Sequence, residues 1–230
     1  IESVPAPVAV IVSFPSNPTA QVVSLEFYEE VVKIALKYNV YILSDLAYAE
    51  IYYDDFPPPS ILQIPKAKEV AVEFTSMSKT YAMAGWRIGF AVGNIRLINA
   101  LTRIKSYLDY GAFTPVQVSA AAALNGPQDC VQEIRNIYQK RRDVLINTMA
   151  RAGWNIPSPK ASMFAWAPIP DKYKDKGSLE FAKELMLKAD VAVSPGVAFG
   201  EFGEGFVRVG LVENEQRIRQ AAKNIKKLLI

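Results

Sequence analysis

The chain has 230 residues, half of them hydrophobic, enough for one large domain or two modest ones around a sizeable core. Lysine plus arginine number 26 against 23 aspartates plus glutamates, and the net +3 is dispersed; Lys140-Arg141-Arg142 and Lys226-Lys227 fall in helical patterns as solvated faces, which argues against a nucleic-acid surface. With no histidine and only Cys130, the chain excludes serine–histidine catalysis, histidine-ligated metal and an intrachain disulfide, and the lone cysteine fits a reducing, cytoplasmic compartment.

Val8 to Phe14 is a continuous β-branched run, the pattern of a strand buried on both faces. The opening Ile1 to Val12 is apolar but short, carries Glu2 and lacks a basic leading region, so it does not read as a signal peptide, and no apolar run is long enough to span a membrane. Pro15-Ser16-Asn17-Pro18 turns the chain. Ser24 caps a predicted helix over 25–38, with Glu26, Glu29 and Glu30 near its N-terminus and Leu25, Tyr28, Val32, Ala35 and Leu36 as its stripe. Val40–Ser44 and Val70–Thr75 are further strands, ending at Asp45 and at Ser76-Met77-Ser78-Lys79, and 87–92 is a fourth. Strand, helix, strand in this rhythm predicts an α/β sheet, and ligands of such sheets bind beyond the strands' carboxyl ends. Asn17, Asp45 and Ser76–Lys79 all fall there.

A helix over 94–109 follows. Thr114-Pro115-Val116-Gln117 predicts a capping box with proline at the first helical position. Gly126-Pro127 breaks the pattern, and a long helix over 129–152 stops at Gly153. Strands at 163–167, 191–194 and 206–212 then alternate with helices at 178–189 and 214–229, a second, smaller α/β unit. The predicted organisation is a cofactor-binding part over 1–128, a connecting helix over 129–152 and a small domain over 153–230.

Lys79 carries the chemistry. An amine forms an imine when burial or a neighbouring cation helps it shed its proton, and Ser76, Ser78 and Arg87 supply donors for a phosphate dianion. That combination points to pyridoxal 5'-phosphate. Taken singly, each residue has a plainer reading: Lys79 as a solvated lysine, Asp45 as a helix cap, Tyr48 as packing, Asn17 as a turn former and Arg208 as half of a surface ion pair. Their order and spacing decide for chemistry: 28 residues from Asn17 to Asp45, three to Tyr48, and eight from Lys79 to Arg87. Tyr52-Tyr53, Tyr110 and Trp166 read as packing or interface aromatics.

Four segments carry a family resemblance: Ser13 to Thr19 with its Asn-Pro turn, Asp45-Leu46-Ala47-Tyr48, Ser76 to Phe90, and Phe206-Val207-Arg208-Val209. The chain resembles the fold-type I, class I pyridoxal-phosphate aminotransferases over nearly its whole length. Ser78 to Phe90 and Lys160-Ala161-Ser162-Met163-Phe164 are most similar to the glutamate–pyruvate (alanine) group, whose near relatives act on LL-diaminopimelate or aspartate. The resemblance implies the C-terminal part of the large domain, a mostly parallel sheet with helices, plus the small domain. It implies that Lys79 is catalytic and forms the Schiff base, that Asp45 pairs with the pyridine nitrogen, and that Tyr48 and Asn17 bond the phenolic oxygen. Ser76, Ser78 and Arg87 hold the phosphate, while Arg208, with Asn17, binds the substrate carboxylate. It further implies amino-acid and 2-oxo-acid substrates and a homodimer, with no metal, nucleic acid or membrane.

Family members carry an N-terminal region ahead of the Asn-Pro strand, and none precedes Ile1 here. The expectation is a truncated chain with an exposed sheet edge. Two further readings therefore stand beside transamination: a same-fold lyase, and a catalytically incomplete fragment serving in binding or assembly. The resemblance also bears on the donor: aspartate-specific members often supply an arginine to the neighbouring subunit's site from the region matching 106–118, and that stretch has no arginine or lysine here, which favours a small or neutral amino donor such as alanine.

Overall fold

The β-branched runs of the first half form one four-stranded sheet. It comprises β1 (Ala9–Ser13), β2 (Tyr41–Asp45), β3 (Ala71–Ser76) and β4 (Gly89–Gly93), side by side in that order. The computed structural model that shows this describes residues 6–229. Packing divides the chain into two units, Ile1–Pro15 with Val22–Ile134, and Ser16–Gln21 with Arg135–Ile230.

In the first unit β1, β2 and β3 run parallel, and β4 returns antiparallel to β3. α1 (Leu25–Tyr38) links β1 to β2. Ser24 caps it by accepting the Phe27 amide at 3.4 Å, and Asn39, in the left-handed region, closes it by donating its amide to Ala35. Its buried face, Tyr28, Val32 and Ala35, joins Val12, Ile42, Ile61, Ala67 and Ala71 in a core cluster. Two one-turn helices flank β3: α2 (Ala67–Val70) and α3 (Met77–Thr80). α4 (Ile95–Leu108) starts at buried Asn94, whose Oδ1 accepts the amides of Arg96 and Leu97 while Nδ2 donates to the carbonyls of Lys68 and Glu69.

A carboxylate is buried in this core. Glu73 of β3 accepts from Ser44 Oγ (3.3 Å), Ser60 Oγ (2.7 Å) and the Ile61 amide (3.1 Å). Ser44 donates its hydroxyl to Glu73 and lies beside the buried Tyr28 hydroxyl. Burial, followed by the Glu73 charge, pushes the Tyr28 phenol up to about 12.

Two expectations fail here for physical reasons. β1 is not covered on both faces: among the described residues it pairs only with β2, and Val8 and Ile11 flanking and within it are 75% and 73% exposed. The capping box at 114–117 does not form either. α5 (Thr114–Asn125) begins one residue early, with extended Phe113 at the cap and Pro115 at the second helical position, and the Gln117 side chain donates to the Ala112 carbonyl instead.

α6 (Asp129–Arg151) ends before Gly153, whose φ of +88° provides its stop. The second unit's sheet is wholly antiparallel, in the order β5 (Phe164–Pro168), β7 (Phe206–Gly210), β6 (Ser194–Pro195). The strand expected over 191–194 shrinks to β6, because Pro195 and a following 3₁₀ turn at Gly196–Phe199 end its ladder. α7 (Gly177–Ala189) and α8 (Glu215–Leu229) complete the unit; α8 buries Ile218, Ala222 and Ile225. Trp154 anchors its core, donating to the Pro168 carbonyl at 2.8 Å and meeting Phe181 edge-on.

Candidate active site

Six of the predicted residues lie in the first unit: Asp45, Tyr48, Ser76, Ser78, Lys79 and Arg87. Parallel pairing sets Asp45 at the carboxyl end of β2 opposite Ser13, the last residue of β1. Ser13 Oγ donates to Asp45 Oδ2 at 3.1 Å, and the Ala47 amide donates to Oδ1 at 3.1 Å. The carboxylate is thus held at both oxygens while keeping lone pairs for a further donor. Sequence reasoning missed Ser13; its signal is that it ends the strand directly beside the one bearing Asp45.

β3 runs without a break into α3, because Ser76 in extended conformation caps the turn by accepting the Ser78 amide at 3.2 Å. Met77, Ser78 and Thr80 are buried and fix the turn, while Lys79 is half-buried. Lys79 Nζ lies over the Tyr48 ring, 5.7 Å from its centroid, which brings these two predicted residues together. Arg87 comes beside the same turn by strand pairing: Ser76 is opposite Gly89, and the Met77 amide donates to the Ile88 carbonyl at 3.2 Å. Arg87 takes a left-handed backbone (φ 50°) and donates Nη1 to the Ala84 carbonyl at 3.0 Å, leaving an exposed cation.

Asn17 and Arg208 lie in the second unit. β7 alternates as the sequence predicts: Val207, Val209 and Leu211 are buried, and Arg208 stands on the other face. Arg208 donates Nη1 to Asn17 Oδ1 at 2.7 Å and Nη2 to Ser194 Oγ at 3.3 Å. Its guanidinium lies over the rings of Phe164 (4.3 Å) and Phe199 (4.7 Å). Trp166 stacks on Phe206 and meets Phe199 edge-on. Ser194 and Phe199 were not singled out from the sequence; Ser194 reaches Arg208 by antiparallel pairing across 14 positions.

Tyr53 is buried, as a packing aromatic should be, whereas Tyr110 is 92% exposed. Among the described residues no cluster of acidic and cysteine side chains is arranged to hold a metal ion, and no helix is long and apolar enough to cross a membrane.

Comparison with known proteins gives one consistent family. AatC of Rhizobium meliloti (strain 1021) is 61% identical over 227 residues, covering 99% of this chain and 56% of that protein. The glutamate–pyruvate aminotransferase AlaC of Escherichia coli (strain K12) is 57% identical over 225 residues, covering 98% of this chain and 55% of that one. The chain therefore spans about half the length of the curated relatives it matches. Among solved structures, apo BacF from Bacillus subtilis superposes with a TM-score of 0.92 at 33% identity, covering 97% of this chain and 56% of that chain. The family model for class I and II aminotransferases matches residues 2–225, and the chain belongs to that family.

Proposed function

We propose that this chain is part of a pyridoxal-phosphate-dependent aminotransferase that moves an amino group between alanine, or a similar small amino acid, and a 2-oxo acid, with glutamate and 2-oxoglutarate as the partner pair. One observation carries the reading: a half-buried lysine in the single helical turn that the strand-end Ser76 caps, its amine over the Tyr48 ring, in a chain 57% identical to a glutamate–pyruvate aminotransferase. Members of this family use pyridoxal 5'-phosphate.

The residues present suit that cofactor. Ser76 and Ser78 hydroxyls and the Arg87 cation form a donor set for a phosphate dianion, and the oriented Asp45 carboxylate is an acceptor for a protonated ring nitrogen. When bound, the cofactor supplies an electron-withdrawing ring that takes up the electron pair left at the substrate's Cα. Lys79 Nζ is the amine that would hold the cofactor and would carry the proton away from the substrate's Cα. Asp45 would keep the ring nitrogen charged, Tyr48 and Asn17 would serve as donors to the phenolic oxygen, and Arg208, with Asn17, would bind the α-carboxylate.

The working assembly we propose is a cytoplasmic homodimer, and the apolar exposure of Tyr107, Leu108, Tyr110 and Phe113 supports association. Sedimentation measures it. Borohydride reduction of the holoprotein followed by peptide mapping should label Lys79; a label on any other lysine rejects the assignment. Steady-state rates with alanine, aspartate and LL-diaminopimelate as donors to 2-oxoglutarate or pyruvate should rank alanine first. Elimination products in place of a new amino acid would mean a lyase.

A further inference from the structure

The segment that carries Ser194 and Phe199 is built with more care than a connecting loop needs. Between β6 and β7 it makes two 3₁₀ turns, Gly196–Phe199 and Glu201–Gly203. The two turns cross at glycines: a Cβ on Gly196 would sit 1.8 Å from the Gly203 carbonyl oxygen, and one on Gly203 would sit 2.1 Å from that of Gly196. Both ends of the segment are tied to the first turn of α7 through Ser178, which is fully buried. Its hydroxyl accepts the Val197 amide (3.2 Å) and donates to Glu204 (2.9 Å), whose Oε1 also accepts the Ser178 amide (2.6 Å). Amides of Gly205 and then Ser178 hold the Glu204 carboxyl below its usual range.

This fixed segment presents two side chains to Arg208. Ser194 Oγ accepts one Nη2 hydrogen, and the Phe199 ring lies 4.7 Å from the guanidinium carbon, with Trp166 edge-on to that ring. Asn17 takes one Nη1 hydrogen. A guanidinium has five N–H donors in one plane. With two of the five engaged by Asn17 and Ser194, three donors remain for a substrate carboxylate. The ring face restrains the plane, and the hydroxyl restrains its rotation within the plane.

We propose that the 194–204 segment is a positioning element for substrate carboxylate binding, in which Ser194 and Phe199 hold the Arg208 fork and Ser178 holds the segment. This rests on the reading of Arg208 as the carboxylate anchor. An arginine that is already oriented loses little freedom when the carboxylate arrives, so the segment acts on affinity for every substrate alike.

The test uses the holoenzyme, the variants Ser194→Ala, Phe199→Leu, Phe199→Tyr, Ser178→Ala and Arg208→Lys, and three probes: alanine, 2-oxoglutarate and propionate, a carboxylate with neither amine nor second acid. Ser194→Ala should raise KM for alanine and 2-oxoglutarate together by about 3- to 10-fold, the range of one net hydrogen bond, with kcat held within about twofold. The propionate dissociation constant should rise by the same factor. Phe199→Leu should do likewise by about 2- to 5-fold, Phe199→Tyr should restore the wild-type KM, and Ser178→Ala should move KM in the same direction. Unchanged constants in Ser194→Ala and Phe199→Leu, an effect on one substrate alone, or a fall in kcat with KM unmoved would overturn the proposal. Arg208→Lys separates the two layers. If it weakens all three probes while the segment variants do not, only the positioning role fails; if it weakens none, the anchor reading itself fails.

Discussion

Replacing Glu73 with alanine removes an acceptor that three donors share, and the cost can be worked from their geometry. The Ser60 hydroxyl at 2.7 Å makes a strong bond to a charged oxygen, about 1.5–3 kcal/mol net, and the Ser44 hydroxyl at 3.3 Å a weaker one. Both hydroxyls can rotate toward other acceptors. The Ile61 amide at 3.1 Å cannot, and a buried orphan N–H costs about 1–3 kcal/mol. Against this, the folded state no longer buries a charge, which returns part of the loss. The expected net destabilisation is about 2–4 kcal/mol, or a fall in Tm of about 4–16 °C for a chain of this size. Glu73→Gln keeps one acceptor oxygen but turns an amide NH2 toward a donor, so it should fall between wild type and alanine. Urea denaturation followed by circular dichroism measures both, with the slope m unchanged if only stability has moved. An alanine variant within about 0.5 kcal/mol of wild type, or a glutamine variant worse than alanine, would refute the reasoning, since surface-like effects are of that size.

Three further outcomes are expected. The Tyr28 phenol is raised in the fold from 10.0 to about 12, so its stabilising effect is complete below pH 10 and is lost as pH climbs toward 12, at about 1.4 kcal/mol per pH unit; Tyr28→Phe should flatten the stability profile across that window. Asp45→Ala should slow loss of the substrate Cα proton far more than it weakens substrate binding, and single-turnover rates with deuterated alanine would show this; near-normal turnover would make Asp45 structural. Gly203→Ala should leave the first unit intact yet lower the thermal stability of the second by several °C, because a methyl 2.1 Å from the Gly196 carbonyl oxygen forces the backbone apart; an unchanged melting profile would count against the tight crossing.

The sequence made some of this legible and hid the rest for identifiable reasons. β-branched runs marked β2 and β3 because a covered sheet needs apolar side chains on successive residues, and the same pattern located β1 while overstating its burial. The spacing from Lys79 to Arg87 was readable because both lie on the one short connection between β3 and β4. Ser13 was not read as a partner of Asp45, since parallel register across 32 residues is a tertiary fact. The same holds for Ser194 and Phe199 around Arg208, which come together only when β6 and β7 pair. Glu73 was passed over inside an apolar run, where its neighbours Val72 and Phe74 identified the strand but not its polar interior. The capping pattern at 114–117 misled because Phe113, one residue earlier, already had the extended backbone of a cap.

The antiparallel return of β4 also sets a length. Ser76 meets Gly89 across a hairpin that contains α3 and the turn before Arg87. Gly89 and Gly93 lie where a side chain would press within 2.5 Å and 2.4 Å of the Thr75 and Ala71 carbonyl oxygens. One inserted residue between Thr80 and Trp86 would bring bulkier neighbours against those carbonyls and carry Arg87 away from the lysine turn. The exposed stretch 54–57 lies outside the strands and meets no such paired carbonyl. Natural variation in chain length should therefore gather around residues 54–57 and be missing between 77 and 89, so that this short hairpin behaves as an evolutionary ruler: substitution can alter its chemistry, but insertion and deletion cannot pass through it.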